Sequence, residues 1–87
     1  MKVVKSNEIT PEDVSSAPIF FDGKVTRQSI VDSPLTEQFN FALVSFYKGA
    51  RNHFHTHTSD QILFATDGLG IVATESAIAE IKKGDTA

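Results

Sequence analysis

The sequence predicts an all-β domain of short antiparallel strands, on three observations. Runs rich in aromatic and branched residues recur at roughly 8–12-residue spacing. Glycine-containing turn signals such as Asp22-Gly23 and Lys83-Gly84-Asp85 punctuate them. The run from Gln38 to Tyr47 is apolar on both faces, as in a strand inside a sandwich or closed barrel.

Taken in order, residues 1–18 form an N-terminal segment. Thr10 and Pro11 followed by acids could start one helical turn, but Pro18 and two serines favour a loop. Residues 19–87 form the β domain. Ile19–Phe21 is a first short strand, ended by Asp22-Gly23, and Lys24–Val31 is a second, with apolar residues at Val25, Ile30 and Val31. Asp32, Ser33 and Pro34 break it. In the next run Phe41, Leu43 and Tyr47 share one face, and Ala42, Val44 and Phe46 the other. "QILFAT" (61–66) and "GIVATE" (70–75) are joined by Asp67-Gly68-Leu69-Gly70, which predicts a hairpin between them. Residues 77–82, "AIAEIK", have helix-favouring composition, yet alternate between Ile78, Glu80, Lys82 and Ala77, Ala79, Ile81 between two turn signals, which predicts a strand.

Composition limits the function. The chain of 87 residues has a formal charge of −3 and no cysteine, so disulfides and thiolate metal sites are excluded, in keeping with a cytoplasmic setting. The basic residues never exceed two in a row, so no nucleic-acid footprint is present. No apolar run approaches the ~20 residues that span a bilayer, and the N-terminus has no signal-peptide pattern. A chain this small has a thin stability margin without a partner or metal.

The histidines are His53, His55 and His57, followed by Gln61. On an extended backbone the four share parity and can project to one side. Imidazole is the commonest protein ligand for divalent transition metals, and an amide oxygen can complete the set. Gly49 stands six residues before His55, and Gly68 seven after Gln61.

Glycine, five residues, His-x-His, three residues, Glu or Gln, six residues, glycine is the first signature of the cupin superfamily, and Gly49, His55, His57, Gln61 and Gly68 resemble it at all five positions. The surrounding residues are similar to small single-domain cupins related to carboxymuconolactone decarboxylases and to bacterial manganese-dependent hydroxynitrile lyases. The resemblance covers residues 19–87 and implies an antiparallel β-barrel, or jelly roll, around a divalent metal held by His55, His57 and Gln61. Manganese is favoured among Mn²⁺, Fe²⁺, Ni²⁺ and Zn²⁺. Imidazoles and an amide leave the full charge on such a metal, which would act as a Lewis acid toward anionic ligands.

The resemblance also implies a small carbonyl or acid compound as substrate, in lyase, decarboxylase-like or oxygenase chemistry. Ala42 and Val44 match pocket-lining positions of the lyase-like cupins. His53 lies outside the signature and is either a rim residue exposed to solvent or a pocket group, as a base behind the metal ligands or a spare ligand. Tyr47, Arg51 and Asp60 are nearby polar groups better explained by structure or solvation than by catalysis. The second cupin signature would begin at Gly84 and place its histidine at position 95, past Ala87, which implies a barrel incomplete on its C-terminal side. Its uncovered edges would favour a homodimer. A non-catalytic module that senses a metal or small ligand is the alternative, because one fold serves many functions.

Overall fold

Strand β3 (Val25–Val31) organises the first half of the molecule, because it is paired on both edges. The computed structural model describes residues 1–32, 38–56 and 59–87; the expected break at Ser33-Pro34 and the expected ligand His57 lie outside them. The chain divides into two compact units, Met1–His53 and Phe54–Ala87. All named strands are antiparallel and no α-helix occurs among the described residues, so the chain is all-β. The strands form three small sheets, none of them closed into a barrel.

In the first unit, β1 (Glu12–Asp13) and β4 (Phe41–Phe46) flank β3. The register runs from Val25↔Phe46 to Ser29↔Ala42 and shifts before Val31↔Phe41. The extra residue, Ile30, resets the alternation, which accounts for apolar positions of opposite parity at Val25 and Ile30. Val25 is fully buried and Thr26 is 7% exposed. The Ser15 hydroxyl accepts from the Val25 N–H at 2.8 Å and lies 3.3 Å from the Val25 carbonyl, to which the Val14 N–H donates at 2.9 Å. The N-terminal segment is therefore tied into the sheet. Gln28 anchors it further, donating through Nε2 to the carbonyls of Ser6 and Ile9, on either side of a 3-10 turn at Ser6–Glu8.

β4 is not buried on both faces as its composition predicts. Phe41, Val44 and Phe46 are all exposed, and only Ala42 and Leu43 are half-buried. In the order β1-β3-β4 it is an edge strand, so one hydrogen-bonding edge is unpaired among the described strands.

The second sheet of this unit pairs β2 (Phe20–Phe21) with β5 (Arg51–Asn52). Phe20 meets Phe46 edge to face at 5.7 Å, which joins the two sheets. Ala50 lies so close to Gly23 that a Cβ there would fall 2.8 Å from the Ala50 Cβ. Beyond Phe20↔Asn52 the ladder continues for one bond, from the His53 N–H to the Ile19 carbonyl at 2.7 Å.

In the second unit, β6 (Leu69–Ala73) and β7 (Ile78–Lys82) form a hairpin, with Gly70↔Ile81 and Ala73↔Ile78 in register. The strand expected at 77–82 is present. Its predicted alternative, a helix, is not. The Thr74 N–H donates to the Ala77 carbonyl at 2.7 Å and the Ala77 N–H to the Thr74 hydroxyl at 3.1 Å, closing the loop over Glu75 and Ser76.

The predicted hairpin between 61–66 and 70–75 is a misassignment. The Asp67-Gly68 turn exists, with Gly68 at φ +79° and its N–H bonded to the Asp67 carboxylate. Residues 63–65 instead pair with 84–87: Leu63 and Ala87 exchange both backbone bonds, and Phe64 faces Thr86. The turn at Lys82–Asp85 reverses the chain after β7, with Gly84 at φ +93°. That reversal delivers the last residues to 63–65, a partner that alternation cannot reveal.

Candidate functional site

The candidate ligands distribute over the two units. His53 closes the first unit. Its ring stacks on Phe21 at 4.3 Å with an interplanar angle of 22°, beside the backbone bond to Ile19. The residue is exposed, and its ring is held by an aromatic partner on β2.

His55 and Gln61 belong to the second unit, and both are exposed. Residues 53–56 and 59–63 stand outside any named strand, so the parity argument for one ligand face lacks the strand it assumed. His55 borders an open groove of about 490 Å³ with Phe54, Thr56, Ala73, Thr74 and Glu75. The groove lies against the end of β6 and its loop. Gln61 precedes the segment that pairs with the chain end.

Ala42 and Val44 sit on β4 of the first unit, opposite Ser29 and Arg27. Ala42 is half-buried and Val44 exposed. Both are accounted for as residues of an edge strand. Tyr47 receives the Lys24 ammonium 4.8 Å from its ring centroid. Arg51 pairs with Phe21 across the β2–β5 ladder, and Asp60 is exposed.

The signature glycines have a clear local role. Gly49 has φ +83° and follows Tyr47 and Lys48 in a turn closed by the Ala50 N–H on the Tyr47 carbonyl at 2.9 Å. That φ is what a type II turn asks of its third residue, and glycine adopts it without a Cβ penalty. Gly68, in the second unit, has the same left-handed backbone.

Among the described residues, no group of three or more His, Cys, Asp or Glu side chains is placed to hold a metal ion. The second unit contributes one imidazole, His55, and one amide, Gln61, to a donor set that His57 would have to complete. Glu75, absent from the sequence-level candidates, is brought to the His55 groove by the β6–β7 loop. Only the hairpin register could have found it, because twenty residues separate the two in sequence.

No helix among the described residues is long and apolar enough to cross a membrane. Comparison with protein families, with curated proteins and with solved structures finds no match to this chain.

Proposed function

We propose that this chain carries the first half of a cupin-type metal centre, with His55, His57 and Gln61 as ligands and a small molecule as its target. The observation that supports this best is the backbone at the two glycines. Gly49 and Gly68 both have positive φ, so the signature's ends fall on turns that require glycine rather than on incidental positions. A finer jelly-roll architecture belongs to the same proposal.

The donor chemistry fits a divalent transition metal. Imidazole nitrogen with one amide oxygen is a borderline set that suits Mn²⁺, Fe²⁺, Ni²⁺ or Zn²⁺, manganese being favoured. A bound metal would supply Lewis-acid polarisation of a carbonyl or acid group. The chain's own residues do the rest: His55 presents its imidazole at an open groove, and Phe54 gives that groove an apolar wall. Lyase or oxygenase chemistry on a small carbonyl compound is the activity proposed, in a homodimer that covers exposed apolar residues such as Ile62 and Ile71, 79% and 70% exposed. A sensor that binds without turnover is the second reading, favoured by the exposure of His55 and Gln61, since catalytic metal sites rely on a dry, shaped cavity.

Titration of the 87-residue chain with Mn²⁺ separates these proposals from their failure. Paramagnetic broadening should reach the amides around His55 and Gln61 first, and elemental analysis should find metal that His55→Ala and His57→Ala remove. Uniform broadening, or metal content in both variants unchanged from the parent chain, would refute the metal reading. Metal retention without turnover of small hydroxynitriles or aromatic substrates would leave the sensor.

A further inference from the structure

We infer that the groove beside His55 is a metal-independent binding site for a small ammonium ion with an aromatic or apolar body. Among the described residues it is lined by Phe54, His55, Thr56, Ala73, Thr74 and Glu75, all in the second unit. At about 490 Å³ the groove falls within the ~300–1,000 Å³ usual for small-molecule sites. Two features of the lining select the ligand.

The first is charge. Glu75 is the carboxylate of the lining, and among the described residues no hydrogen bond or ion pair engages it. It sits in a short loop whose backbone is closed by Thr74 and Ala77, so its position is held while its side chain stays open to a ligand. A carboxylate at such a site attracts a cation and repels an anion.

The second is the aromatic wall. Phe54 is 75% exposed at the groove, so its ring is accessible to a ligand. Its ring offers a face to an ammonium group or a stacking surface to an aromatic body. The Thr56 and Thr74 hydroxyls of the lining are further acceptors for N–H donors. The Thr74 hydroxyl already accepts from the Ala77 N–H, and its second lone pair remains for a ligand. Carboxylate, aromatic face and hydroxyls together describe an amine site rather than an anion site.

The test uses benzylammonium and benzoate as paired probes of one shape and opposite charge, with the full chain in excess chelator. Metal then plays no part, and the outcome is independent of the proposal above. Amide shifts followed by NMR should localise benzylammonium to residues 54–56 and 73–75. It should bind about thirtyfold more tightly than benzoate, the product of the roughly fivefold attraction and fivefold repulsion expected of one carboxylate near ~4 Å in water. Glu75→Gln should bring that ratio within about twofold while the β6–β7 amides keep their dispersion. Phe54→Ala should weaken benzylammonium and leave methylammonium unchanged. Benzoate binding as tightly as benzylammonium, shifts outside the groove, or a ratio unaltered by Glu75→Gln would each overturn the inference.

Discussion

Replacing Gly49 by alanine isolates one physical term. The backbone there has φ +83°, and an added Cβ would meet nothing but the Asp22 carbonyl oxygen at 3.5 Å, an ordinary contact. Crowding is therefore negligible and the cost is conformational. A left-handed residue with a Cβ costs about 1–2 kcal/mol. Alanine also restricts the unfolded chain, which offsets about 0.4–1 kcal/mol. The net loss should be about 1 kcal/mol, or a roughly fivefold fall in the protection of the first unit's amides.

Hydrogen exchange of the β3 and β4 amides reads this loss directly, with the Ala50 N–H as the local reporter of the turn. Gly49→Asn should recover part of it, because asparagine tolerates the left-handed region. Gly23→Ala is the contrasting variant. Its new Cβ would lie 2.8–2.9 Å from the Cβ, Cα and N of Ala50, so backbone must move. Such overpacking costs about 1–3 kcal/mol, and no asparagine relieves it. Unchanged or increased protection in Gly49→Ala would refute the assignment of a left-handed turn, and with it the support this glycine lends to the metal reading.

Two further outcomes follow from the first unit. Hydrogen bonds from the Ser15 side chain, then from its backbone N–H at 2.9 Å, hold the Asp13 carboxyl below its ordinary value of 3.8, with Lys24 adding a smaller effect in the same direction. The stabilisation is present above the unfolded-state value and is lost as pH falls through the lowered folded-state value. In Ser15→Ala the Asp13 carboxyl, followed by ¹³C NMR, should titrate at higher pH; an unmoved midpoint would remove the serine from the account. Val25→Ala should lower stability by about 2 kcal/mol, because the side chain is fully buried and two methyl carbons leave a void. A urea titration that finds the variant as stable as the parent would show that Val25 is not the core of the unit.

The places where sequence reasoning held are those where local chemistry is decisive. Residue pattern predicts strands over 24–31, 38–47 and 77–82, which occur at 25–31, 41–46 and 78–82, and Gly68 and Gly84 mark turns that the backbone bears out with positive φ. It erred where the answer lay far along the chain. The Asp67-Gly68-Leu69-Gly70 signal was correctly a turn and wrongly a hairpin, since segment 63–65 takes 84–87 as its partner. Alternation assigns a residue to a face and is silent about which strand lies beside it.

The ligand question divides the same way. The sequence by itself determined which donors exist: three imidazoles, one glutamine at matching spacing, and no thiolate. It could also name the glycines, because a left-handed turn excludes most other residues. Only the tertiary structure decided where these groups stand. Phe21 takes the ring of His53, and the β6–β7 loop carries Glu75 to the groove of His55. Residue type is a property of one position, whereas a site is a set of distances created by non-local pairing. Chain reversals at Thr74–Ala77 and Lys82–Asp85 create those distances in the second unit.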